Sequence, residues 1–133
     1  RKILALCIIA LFFNCTSKSE HNKIVYTRME IRYVDLDILT PIDVDCNNFE
    51  SFFNDEIKVK IITDTLLINK FVTELNRLRS DSITPDTRIT VILSGNNLNE
   101  RRLCIDKFNI LDGNNNYSNS GSVLKIIDKL LEN

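Results

Sequence analysis

Ile57-Lys58-Val59-Lys60-Ile61 sets an apolar residue at every second position with a lysine between, and a segment of different period follows almost at once. The two-residue period predicts a strand with an apolar face of Ile57, Val59 and Ile61 and a basic face of Lys58 and Lys60. Beyond Asp64 the period lengthens. Leu67, Ile68, Phe71, Leu75 and Leu78 recur at helical spacing, and Lys70, Glu74 and Arg77 fill the opposite side. Asp64 is placed to cap that helix, since its carboxylate can accept from first-turn amides that lack an intrahelical partner. A strand and a helix with one apolar side each hide both by packing together, and further strands extend the same sheet.

Upstream, Met29, Ile31 and Tyr33 alternate with Arg28, Glu30 and Arg32, and then Val34, Leu36 and Ile38 alternate with Asp35 and Asp37 in the opposite phase. Such a slip would turn side chains to the wrong face, so a bulge or bend is expected near Tyr33-Val34. Thr40-Pro41 interrupts pairing, and Ile42, Val44 and Cys46 resume a strand-like alternation. Asn47 or Asn48 is expected to cap a short helix with Phe49, Phe52 and Phe53 on one face. Downstream, residues 79–87 read as a polar connection and 88–93 as a strand. Ser94-Gly95-Asn96-Asn97 is hairpin chemistry, because Gly and Asn tolerate positive φ. Residues 101–105 return with Leu103 and Ile105 inward, 108–111 form another strand, and Asp112-Gly113 turns the chain into a loop over 114–119. Ser120 or Ser122 then caps a last helix lined by Val123, Ile126, Ile127 and Leu130. The expected fold is α+β: a single domain over 23–133, largely an antiparallel sheet, with two main helices packed on one face.

The first residues have another character. Arg1-Lys2 precedes eleven apolar residues, Ile3 to Phe13, without a charge. A helix crossing a bilayer needs about 20 such residues, so a basic pair before a short apolar run reads as a signal peptide. With no starting Met, the chain is read as lacking its initiator. Phe12-Phe13-Asn14-Cys15 resembles the lipobox of bacterial lipoproteins, with Phe12 and Asn14 where Leu and a small residue are commonest. The resemblance covers residues 1 to about 20. It implies a signal peptide over 1–14, attachment of lipid (diacylglyceryl and a palmitate-type chain) at Cys15, and a flexible tether over 15–22. The expected location is therefore the bacterial cell envelope, lipid-anchored to a membrane and facing the periplasm or the cell exterior.

Composition bounds the remaining options. The 133 residues suffice for one domain with a core, and 44% hydrophobic with 26% charged residues is a globular balance. A formal charge of -1 offers no field to recruit nucleic acid, and none is expected as a partner. Without residues 1–14 the 18 acidic residues face two fewer than the original 17 basic ones, a net of -3. The deficit sits early, with four basic and nine acidic residues between Thr16 and Glu56. The one histidine, His21, lies in the tether, which removes the commonest general base and metal ligand from the domain.

Candidate chemistry is sparse. With Cys7 in the signal peptide and Cys15 lipidated, Cys46 and Cys104 remain. An exported compartment favours a bridge between them, worth about 4 kcal/mol for a loop of that length, whereas the alternative is two buried thiols acting as small hydrophobes. Asp35 and Asp37, like Asp43 and Asp45, share a face if their segments are strands. Four converging carboxylates would suit calcium, and two would suit a minor hydrolase; the simpler reading is a solvated polar face. Ser122-Val123-Leu124-Lys125 has the Ser-x-x-Lys spacing of penicillin-binding proteins without their further motifs, and a helix cap accounts for it. Arg88, Arg101 and Arg102 form a weak basic group, since adjacent strand residues face opposite ways. No phosphate loop, dinucleotide fingerprint, nucleophile elbow or metal motif is present. The sequence thus predicts no catalytic residue, no metal and no cofactor, and points to a binding or interaction role with membrane contact through lipid and an unidentified protein partner.

Overall fold

The computed structural model describes residues 24–96, 100–119 and 121–132. The signal run, Cys7, Cys15, the tether and His21 lie outside them. Among the described residues seven strands form one wholly antiparallel sheet in the order β2-β1-β4-β5-β6-β7-β3. In chain order the elements are β1 (Tyr26–Tyr33), α1 (Phe49–Phe53), β2 (Lys58–Ile62), α2 (Thr65–Leu75), β3 (Arg79–Asp81), β4 (Ile89–Gly95), β5 (Arg101–Ile105), β6 (Asn109–Asp112), β7 (Asn115–Ser118) and α3 (Ser122–Glu132), with a 3₁₀ turn at Asn54–Glu56. The α+β class and the largely antiparallel sheet are as the sequence predicts.

Both long helices cover one face. Ile68, Phe71 and Leu75 of α2 and Val123, Ile127 and Leu130 of α3 pack in one buried cluster with Met29, Ile31, Val91, Leu93, Leu103 and Ile110. Asp64 caps α2 as expected, its Oδ1 accepting from Leu66 N at 2.8 Å and Leu67 N at 3.3 Å. The phase of β2 is the reverse of the expectation. Ile62 lies opposite Met29 and Lys60 opposite Ile31, so the lysines share the helix-covered face. Val59 and Ile61 fall on the other face and stay 55% and 50% exposed. The adjacent Ile61-Ile62 pair permits either phase, and Ile62 takes the buried position in the helix-covered cluster.

Residues 34–57 do not form the strands expected of them. Apart from α1 and the 3₁₀ turn they run as an irregular strap. Its Val34, Val44, Phe49 and Phe53 make a second, smaller core, with Ile38 and Ile57 packed against it. Cys46 is bridged to Cys104, whose side chain faces away from the helices, with the two Cα atoms 5.6 Å apart. The strap therefore closes the second face of the sheet. Asp45 rather than an Asn side chain holds the entry to α1, its Oδ1 accepting from Asn47 N and Asn48 N at 2.8 and 2.9 Å. Phe52 is exposed while Phe49 and Phe53 are buried.

Three further local differences have identifiable causes. The register shift in β1 lies between Tyr26 and Arg28, where the strand begins, not at Tyr33-Val34. Gly95 has no positive φ; it is needed because a Cβ there would collide with the Val25 carbonyl. Segments 79–81 and 115–118 are strands rather than loop: the Gly113 turn (φ 58°) folds β7 back on β6, and β3 pairs with β7. Replacing both Cys46 and Cys104 by Ser is expected to lower unfolding free energy by about 4 kcal/mol, read by chemical denaturation.

Candidate functional site

Where β1 ends, three loops meet: residues 36–40 of the strap, 86–88 before β4, and 106–108 between β5 and β6. They line an open groove of about 280 Å³. Its floor is built on Arg88, which is 5% exposed. Arg88 Nη1 and Nη2 donate to the two carboxylate oxygens of Asp86 at 2.6 and 2.8 Å. Nη2 also donates to Thr40 Oγ1 at 2.8 Å, Nη1 to Thr87 O at 3.0 Å and Nε to Ile38 O at 3.3 Å. All five guanidinium donors are thus engaged, and the group lies 5.5 Å from the centre of the Phe53 ring. A charge so placed needs this full complement, because an unpaired one would cost several kcal/mol.

Asp106 organises the other wall. Its Oδ1 accepts from Phe108 N and Asn109 N, both at 2.6 Å, and its Oδ2 accepts from Asp86 N at 2.9 Å. Asp37 and Lys107 form an ion pair joining the two walls. Against this committed polar frame, Leu39 and Phe108 stand 95% and 71% exposed. The groove offers apolar contact held by rigid polar supports, and its ionic groups already have partners.

The carboxylates singled out in the sequence do not assemble a site. Asp35 accepts from Asp37 N in a local turn, Asp37 pairs with Lys107, Asp45 holds α1, and Asp43 is exposed. Among the described residues no three Asp, Glu, Cys or His side chains are grouped to hold a metal ion. Ser122 opens α3, and Lys125 is exposed on its first turn. The arginines separate as strand geometry requires: Arg101 chelates Asp112 (Nη2 to Oδ2 2.5 Å) on the helix-covered face, and Arg102 reaches Glu50 at 3.0 Å on the other. Hydrogen bonding to Asp112 raises the Arg101 pKa above its ordinary value despite burial.

Beneath the strap runs an alternating ionic row that the sequence reading missed. Glu30 binds Arg28 and Arg32, each at 2.7 Å, and Glu50 joins Arg32 at 2.8 Å to Arg102. Glu30, at 9% exposure, is the buried member. The Arg32 hydrogen bond holds its carboxyl below the usual 4.5, with Arg28 adding to this and burial opposing it. The same bond raises the pKa of Arg32. A carboxyl lowered by folding stabilises the protein above its unfolded pKa, and that contribution is lost as pH falls through the folded value. Stability is therefore expected to decline below about pH 4.5, and Glu30→Gln should flatten that part of the denaturation-against-pH curve.

Fold and site together define a helix-backed antiparallel α+β domain with a strapped rear face and a loop-lined groove. Comparison with protein-family models, with characterised proteins and with solved structures finds no match. No helix among the described residues is long and apolar enough to cross a membrane.

Proposed function

We infer that this is a non-enzymatic interaction protein of a bacterial envelope, held to a membrane by lipid on Cys15 and meeting a protein partner through the groove. The observation that carries this reading is direction. β1 runs from Tyr26, beside Gly95, to Tyr33, beside Ile89, and the groove lies beyond its far end. Eight residues of strand, roughly 25 Å, thus separate the tether's entry from the groove. An anchor before residue 24 would therefore sit at the opposite end of β1 from Leu39 and Phe108 and leave the groove accessible to a partner.

Lipid on Cys15 is supported by the basic pair, the short apolar run and the lipobox-like Phe12-Phe13-Asn14-Cys15. A single acyl chain binds only marginally, whereas the several chains of a lipoprotein hold firmly. The exposed Leu39 and Phe108 suit an apolar anchor of a partner protein. That Asp35 and Asp45 serve local turns and Asp37 pairs with Lys107 supports an interaction role over a carboxylate hydrolase or a calcium module.

Affinity capture from the native envelope with intact-mass analysis tests both halves. The expected result is a partner retained by the native protein, and a mass showing a chain that begins at an acylated Cys15. Leu39→Ser with Phe108→Ser should weaken capture by about tenfold or more while changing stability little, since both side chains are exposed. An unlipidated chain retaining residues 1–14 would defeat the anchor, and undiminished capture by the double variant would defeat the groove.

A further inference from the structure

A second surface lies at the opposite structural level, on the sheet's own edge. β2 has β1 as its one strand neighbour among the described residues. Among the described residues nothing but β1 hydrogen-bonds to Lys58–Ile62. In an antiparallel pair every second residue turns its N–H and C=O away from the partner, so this edge carries an open row of donors and acceptors. Val59 and Ile61 stand exposed on the rear face, and Val59 with Ile57 forms the apolar part of an open cavity of about 300 Å³ completed by Arg32, Glu50 and Asn54. On the front face Lys58 and Lys60 enter no ion pair among the described residues.

We propose that the outer edge of β2 accepts an extended segment of a partner protein in which acidic and apolar residues alternate. Backbone hydrogen bonds would extend the sheet, and the period of two would place all the acids on one side and all the apolar residues on the other. The acids meet Lys58 and Lys60; the apolar side chains lie along Val59 and Ile61 at the rear cavity. Charge decides against a second copy of this chain. Antiparallel pairing of β2 with itself about Lys60 sets lysine opposite lysine, and like charges directly across a ladder destabilise it. The same lysines keep the edge from pairing indiscriminately. This surface is independent of the groove reading.

The test titrates the full-length protein with two synthetic peptides, Glu-Val-Glu-Ile-Glu-Val and Lys-Val-Lys-Ile-Lys-Val, following backbone amides by NMR. The acidic peptide should shift residues 58–62 and slow hydrogen exchange at alternate amides there. It should bind about tenfold more tightly than the basic one, and added salt should narrow the difference. Lys58→Glu with Lys60→Glu should reverse the preference. Equal binding of both peptides by the native protein overturns the proposal without recourse to the variant. So would shifts confined to 36–40 and 106–108, edge amides already protected in the free protein, or self-association through β2 seen by sedimentation.

Discussion

The strap on the rear face is anchored at one end by a buried guanidinium. Arg88 sits at the entrance to β4, the strand between β1 and β5, and its side chain points under the strap rather than into solvent. By donating to Ile38 O, Thr40 Oγ1 and both oxygens of Asp86 it fixes the strap to the sheet at one end. The Cys46–Cys104 bridge fixes it further along. Backbone bonds from Thr87 N to Val44 O and from Val34 N to Arg88 O complete the seam. Without these ties the irregular strap would be held by its small apolar cluster, the Val44 N bond to Asp86 and the ion pairs of Asp37 and Glu50. The groove is a consequence: one of its walls is the portion of strap that Arg88 holds.

The two faces are stabilised by different means. Under α2 and α3 the sheet is closed by aliphatic and aromatic packing, where burial of each large side chain contributes about 1.5–3 kcal/mol. Behind, the closure mixes four buried apolar residues with a disulfide, the Arg88 fork and the Glu30 row. A covalent bridge suits a face with a modest core. The outer edge of β2 remains outside both arrangements, because no other described strand pairs with it.

The helices were legible because their apolar residues repeat over several turns and Asp64 announces the start of one. The central strands were legible for a similar reason: Met29-Ile31, Val91-Leu93 and Leu103-Ile105 are pinned by neighbours on both sides. The phase of β2 is not legible in the sequence because an edge strand bears weaker constraints, and Ile61-Ile62 supports two phases. β3 and β7 escaped because Asn115, Asn116 and Ser118 favour turns; pairing across the Gly113 turn overrides that preference. The strap carries alternating residues, yet Asp45 and Asp35 spend their carboxylates on local amides, which favours turns over ladder bonds. The groove was not legible at all. Its residues lie up to 72 positions apart, and Arg88 looks like any basic residue at a strand's start.

The claim that Arg88 holds the strap as a separate layer is tested most directly by hydrogen exchange on an Arg88→Lys variant. Lysine keeps the charge but cannot reproduce the fork to Asp86 together with the bonds to Ile38 and Thr40. The account predicts faster exchange across 36–57, with protection retained in β4, β5, α2 and α3. Unchanged exchange in the strap, or an equal loss of protection throughout the sheet and helices, would contradict it.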